Sequence, residues 1–75
     1  MLYHVKADWD AEAGVWVAVS DDVPGLVAEA ATLEGLLDDV RALVPELLAL
    51  NGAGGGGRID LTLTAERSEA IGRTA

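Results

Sequence analysis

The most informative pattern in this chain lies in residues 3–20, YHVKADWDAEAGVWVAVS. Apolar and polar side chains alternate over residues 3–9, and residues 15–20 are again mostly apolar, which is typical of two half-buried strands. The five residues 10–14 between them end in Gly14, which can adopt the positive φ of a hairpin turn. The stretch therefore predicts a β-hairpin.

Two faces of this hairpin follow from its register. We expect Trp9 to pair opposite Val15, because this gives one continuous apolar face. That face would hold Tyr3, Val5, Ala7, Trp9, Val15, Val17 and Val19. Trp16, Ala18 and Ser20 would lie on the other face with His4, Lys6 and Asp8. The first face is predicted to be the core.

A third strand and a helix follow the hairpin. Pro24 and Gly25 predict a turn, and the alternation after it predicts a strand over residues 26–30. Thr32 is suited to cap a helix whose leucines and valines recur every three or four residues from Leu33. We expect Pro45 either to kink this helix or to open one more turn after an end near residue 44. Asn51 and Gly52 predict its C-terminal cap.

A fourth strand completes the sheet. Residues 54–57 are glycines and predict a flexible crossover loop, and residues 58–64 alternate again. A right-handed crossover places strand 4 parallel to strand 1. The prediction is an α+β fold, β-β-β-α-β, with a four-stranded mixed sheet in the order 3-2-1-4 and one helix on one face. The domain is expected to span residues 1–64, followed by a tail over residues 65–75.

Composition excludes several classes of protein. Seventy-five residues suffice for one domain, and 51% apolar residues allow it to collapse. The absence of cysteine removes disulfides and thiolate metal sites. No apolar run is long enough for a membrane span, and no basic leader precedes the first strand. We expect a soluble cytoplasmic protein.

Charge is distributed unevenly along the chain. Residues 1–50 hold ten carboxylates against one lysine and one arginine, a formal charge of −8, whereas residues 51–75 hold three of each sign and are neutral. An acidic body repels phosphate backbones, so direct nucleic-acid binding is not expected. A basic protein partner is favoured instead.

The candidate chemical groups are few. Four aspartates near the ends of the hairpin could hold Mg²⁺ for nuclease chemistry: Asp8, Asp10, Asp21 and Asp22. The predicted register splits them between two ends, so no metal site is expected. His4 and Ser20 lack an evident third catalytic member, and the glycines lack the strand, helix and lysine of a phosphate loop. We expect no catalytic residue, metal or cofactor.

An interface is the alternative. Trp16, Ala18 and Val27 are expected on the sheet face away from the helix, where exposed apolar side chains tend to mark a contact surface. A short chain with an uncovered sheet face is expected to form a homo-oligomer, most simply a dimer, through this face or through an edge strand.

The chain resembles the HicB-like antitoxin superfamily, in its short single-domain bacterial branch of unknown function. The resemblance rests on residues 9–18 (WDAEAGVWVA), on residues 22–25 (DVPG), on residues 32–34 (TLE) and on the helix ending in VPELL and LNG. It covers about residues 3–63. It implies a partial RNase H-like fold and an antitoxin that binds and occludes a small basic HicA-like mRNA interferase.

The sequence leaves three functions open. The resemblance implies a non-catalytic antitoxin-like domain, without its own DNA-binding module because only twelve residues follow Leu63. An orphan homo-oligomeric regulatory or small-ligand domain is the alternative. A metal-dependent nuclease would be supported by the aspartates alone.

Overall fold

The structure, a computed structural model, describes residues 1–52 and 57–73. Its elements are β1 (Leu2–Asp10), β2 (Val15–Val19), β3 (Val27–Ala30), α1 (Leu33–Leu50) and β4 (Asp60–Glu66). Residues 53–56, where the glycine loop was predicted, lie outside the described residues, as do residues 74–75. Among the described residues, no helix combines the length and apolar character that a membrane crossing requires.

The sheet has the predicted topology. Its strand order is β3-β2-β1-β4, in which β1 pairs antiparallel with β2 and parallel with β4. This confirms the α+β fold and the mixed sheet with the crossover strand beside β1. The fourth strand begins at Asp60 and ends at Glu66, two residues later at each end than the predicted range of 58–64.

Helix α1 begins and ends at the predicted caps. The Thr32 hydroxyl accepts a hydrogen bond from the Gly35 N–H at 3.0 Å, and the Asn51 N–H donates to the Leu47 carbonyl at 3.0 Å. Gly52 has a φ of +76°, the left-handed conformation that commonly follows a helix end. Between these caps the helix runs continuously from Leu33 to Leu50 with Pro45 inside it.

The hairpin register differs by one residue from the prediction. Trp9 pairs with Trp16, and Asp10 pairs with Val15, so the connecting loop has four residues instead of five. The Asp10 carboxylate accepts hydrogen bonds from the N–H groups of Glu12 and Ala13, both at 3.1 Å. Because side chains alternate between faces, this one-residue shift moves every β2 side chain to the opposite face from the predicted one.

The core lies between α1 and the corrected face of the sheet. Its buried strand and turn residues are Val5, Ala7, Ala18, Val23, Leu26 and Ala28, and its buried helix residues are Leu36, Val40, Val44 and Leu48. The predicted core positions Val5 and Ala7 are confirmed. Val15, Val17 and Val19 were predicted on the core face and lie instead on the face away from α1.

Candidate functional site

The sheet face away from α1, which we call the open face, carries an apolar strip. Val15, Val17 and Val19 of β2 lie on it, and Val27 of β3 is opposite Val19. The exposed fraction is 42% for Val19 and 63% for Val27, and Val15 and Val17 are half-buried. Among the described residues, no element packs over this strip, so its valines are available to a partner.

Carboxylates cross the same face in one row. The strand registers place Glu29 beside Val17, Val17 beside Asp8, and Asp8 beside Glu66, which joins all four strands. The next row contains Lys6, whose ammonium lies 3.8 Å from the Asp8 carboxylate. The open face therefore combines an apolar strip with a net negative charge.

The residues predicted as an interface do not lie together. Ala18 is fully buried beneath α1, and Trp16 is half-buried on the same side, packed against the core. The placement of these two side chains on the open face was wrong, because it depended on the shifted register. Val27 does lie on the open face.

At one end of the open face, three polar side chains form a connected cluster. The Asp22 carboxylate accepts hydrogen bonds from the backbone N–H of His4 at 2.7 Å and contacts its Nδ1 at 3.0 Å. These bonds, the backbone one first, hold the pKa of Asp22 below its ordinary value. The cluster faces a shallow, open cleft of about 360 Å³, whose lining also includes Lys6 and Glu66.

The third member, Ser20, is committed to the backbone. Its hydroxyl donates to the His4 carbonyl at 2.5 Å and accepts from the N–H groups of Asp22 and Val23 at 3.1 and 3.2 Å. A nucleophilic serine needs its hydroxyl proton directed at a base. Here that proton is directed at a carbonyl, so the three residues fasten the turn after β2 to β1 without forming a catalytic triad.

The four candidate metal-binding aspartates lie at two separate places. Asp22 is held at His4, near the start of β1, whereas Asp10 closes the turn at the end of that strand. Six residues of extended chain separate the two places by about 20 Å. Within residues 1–52 and 57–73, no three carboxylate or histidine side chains are grouped in a way that could hold a metal ion.

Sequence reasoning missed the valines of β2 as an open surface. The sequence signal was the spacing of Asp10 and Gly14. An aspartate can accept hydrogen bonds from the N–H groups two and three residues later, and with a left-handed glycine four residues later it closes a four-residue loop. Gly14 has a φ of +69°, and its N–H donates to the Asp10 carbonyl at 2.8 Å. Counting Asp10 as the last paired residue would have given the correct faces.

Comparisons with known proteins agree with this architecture. A crystal structure of a hypothetical protein from the extremely thermophilic bacterium Thermus thermophilus is similar, with 52% sequence identity and a TM-score of 0.81, over 95% of this chain and 100% of that one. No curated protein matches the chain. A family model described as a domain of unknown function matches residues 2–73. The chain therefore belongs to this family, DUF1902.

Proposed function

We propose that this chain is a non-catalytic, antitoxin-like interaction domain that binds a small basic protein, a HicA-like mRNA interferase, on its open face. The observation that carries the proposal is the apolar strip of Val15, Val17, Val19 and Val27 crossed by a row of carboxylates. The resemblance to the HicB-like superfamily suggests the class of partner.

The apolar strip supplies the contact area. Interfaces are centred on side chains that lose water on binding and are surrounded by a polar rim. Val19 and Val27 are adjacent across β2 and β3 and are both exposed. A partner that covers them would remove this apolar surface from water without any rearrangement of the sheet.

The carboxylates favour a partner of positive charge. Glu29, Asp8 and Glu66 lie in one row on the open face, and the first fifty residues carry a formal charge of −8. Such a field accelerates encounter with a basic protein and disfavours an acidic one. An mRNA interferase must itself bind phosphates, so its RNA-binding surface is basic, and covering that surface would prevent RNA from binding.

The test is a titration with a purified HicA-like toxin. We expect the wild-type chain to bind it and to suppress its RNA cleavage in proportion to the complex formed. Glu29→Lys should weaken the complex by about tenfold, because it reverses one charge of the row. Glu46→Lys is the matched control, since it makes the same charge change at an exposed position of α1.

The two variants distinguish an effect of charge on the open face from an effect of the net charge of the chain. Equal losses for Glu29→Lys and Glu46→Lys would show that the partner responds only to the net charge of the chain. Failure of the wild-type chain to bind the toxin, or to protect RNA, would contradict the proposed function itself.

A small-ligand domain is the second candidate, and the cleft beside His4 is the observation that favours it. Its volume of about 360 Å³ is at the lower limit of ordinary ligand pockets. The cleft is open and shallow, whereas a ligand site usually encloses most of its ligand. Saturable broadening of the His4 ring signals in a small-molecule screen, with no effect of the toxin, would favour this candidate over the antitoxin.

A further inference from the structure

The outer edge of β4 is an exposed strand edge. Its inner edge pairs with β1, and no strand among the described residues pairs with the outer one. The strand has seven residues, Asp60–Glu66, with charges only at its two ends and no proline or glycine. Proteins usually block such an edge with prolines, central lysines or bulges, because its free N–H and C=O groups can pair with another chain.

The opposite edge of the sheet is better protected. β3 has only four residues, and Glu29 lies within it. A short strand with a central charge is a common device against edge pairing. Of the two edges, β4 is therefore the one that is open to an added strand.

The distribution of charge favours β4 as the place where a second copy of this chain binds. Two bodies of charge −8 repel each other, so self-association is least opposed where the chain is neutral. Residues 51–75 hold Arg58, Arg67 and Arg73 against three carboxylates, and β4 lies in this part. By contrast, two open faces would bring two rows of carboxylates together.

We propose that two copies of the chain pair through the outer edges of their β4 strands, antiparallel and centred on Thr62, to form one eight-stranded sheet. In this register Leu61 lies opposite the second copy's Leu63, and Arg58 lies opposite the second copy's Glu66. Opposite charges and apolar pairs stabilise directly facing positions. Centring the pair on Leu63 instead would place Asp60 opposite Glu66, two like charges.

The adjoining cleft supports the same arrangement. A cleft of about 380 Å³ separates α1 from β4, and its lining includes Leu37, Val44, Ile59 and Leu61. Ile59 is 40% exposed and Leu61 is half-buried, so the core is incompletely covered on this side. A two-fold axis perpendicular to the sheet puts both helices on one side, and the register places the second copy's Ala65 opposite Ile59. The dimer therefore covers the rim of this cleft and leaves the valine strip of the open face free.

Single cysteines test the register, because the chain has none of its own. In the Thr62→Cys variant the two introduced thiols face each other across the axis, at a backbone separation of about 5 Å that a disulfide can bridge. Thr64→Cys is the matched control, since its two thiols would be four residues apart along the strands, about 13 Å. Oxidation should give a covalent dimer of the first variant and not of the second.

Charge exchange tests the same contact without a covalent bond. Sedimentation should show a wild-type dimer at micromolar concentration, and Arg58→Glu should raise its dissociation constant about tenfold, since two symmetric ion pairs become repulsive. Adding Glu66→Arg to that variant should restore the dimer. Lys6→Glu is the control, because it makes the same charge change away from the edge.

Three results would overturn the proposal: a wild-type monomer at these concentrations, equal cross-linking at positions 62 and 64, or a double charge exchange that does not restore association. None of them involves the valines or Glu29 of the open face, on which the toxin titration relies. The toxin titration can therefore succeed or fail independently of this dimer.

Discussion

The indole rings of Trp9 and Trp16 meet edge to face, with centroids 5.4 Å apart and an angle of 61° between their planes. The two residues are directly opposite in the hairpin and lie on the helix side of the sheet. The Arg67 guanidinium lies 4.2 Å from the Trp9 ring centroid, which adds the chain after β4 to this cluster. Such aromatic and cation–π contacts stabilise the arrangement beyond simple burial and favour this hairpin register over a slipped one.

Adjacent residues of β2 test this register. We expect Trp16→Thr to lower the free energy of unfolding by about 2–4 kcal/mol, because Trp16 is half-buried and packs against both Trp9 and the core. Val17→Thr, one residue later, should cost less than about 1 kcal/mol, because threonine keeps the branched shape at a position facing away from α1. Urea denaturation measures both, and the opposite order would restore the predicted register.

The sequence was sufficient for most of the architecture but not for the faces of β2. Periodicity and the caps at Thr32 and Asn51 determined the helix, and the chain order determined the sheet topology. Whether Val17 or Trp16 faces α1 depends on one residue in the length of a turn, and alternation in β2 is weak because all its side chains are apolar. The sequence predicted an uncovered sheet face, because one helix can cover only one face of a sheet. Which β2 side chains lie on that face became known only from the observed hairpin register.

The polar cluster near the start of β1 was only partly visible in the sequence. His4 and Ser20 could be related through the hairpin, but the approach of Asp22 depends on the turn that follows β2. That turn is set by three hydrogen bonds of the Ser20 hydroxyl, which have no periodic signal. Local hydrogen bonds between a side chain and the backbone are therefore recognised from atomic positions more readily than from the periodicity of the sequence.

Leu36 should be among the most sensitive core positions. Its side chain is fully buried, so Leu36→Ala leaves a cavity beneath α1 and should cost about 2–5 kcal/mol. Leu50→Ala is the matched control, since Leu50 is 82% exposed at the end of the same helix. Comparable losses for the two variants in urea denaturation would show that α1 packs through a different face.

Pro45 should reduce the stability of α1. It lies inside the helix, where it lacks the N–H that would bond the carbonyl four residues earlier. We expect Pro45→Ala to raise the free energy of unfolding by about 1–3 kcal/mol, measured by urea denaturation. A decrease would indicate that the proline ring, which lines the cleft between α1 and β4, contributes more through packing than it loses in the backbone.

Asp22 should make stability depend on acid pH. Its pKa is lowered from the ordinary value of 3.8, chiefly by the hydrogen bond from the His4 backbone N–H. A carboxyl whose pKa is lower in the folded state stabilises fully above its unfolded pKa, and this contribution is lost as the pH falls through the folded pKa. Asp22→Asn should therefore be less stable than wild type at neutral pH, and the two curves should converge at strongly acid pH.

A second variant separates the two bonds at Asp22. His4→Gln removes the ring but keeps the backbone donor, which is the larger cause of the lowered pKa. It should therefore retain most of the pH dependence in denaturant titrations at a series of pH values. If His4→Gln abolished the dependence as completely as Asp22→Asn, the ring rather than the backbone would be its main source.

Association with a basic partner should slow as salt is added. The body of charge −8 steers an oppositely charged protein toward the row of carboxylates, and dissolved ions screen that attraction. We expect the association rate constant of the toxin complex to fall at least about tenfold between 50 and 500 mM salt. The dissociation rate constant should change much less, because the valines of the open face hold the formed complex through contacts that salt does not screen. Stopped-flow or surface-based kinetics at a series of salt concentrations measure both constants. Equal association rates at the two extremes would mean that the carboxylate row does not guide the encounter, and a salt effect confined to dissociation would place the charged contacts inside the interface rather than around it.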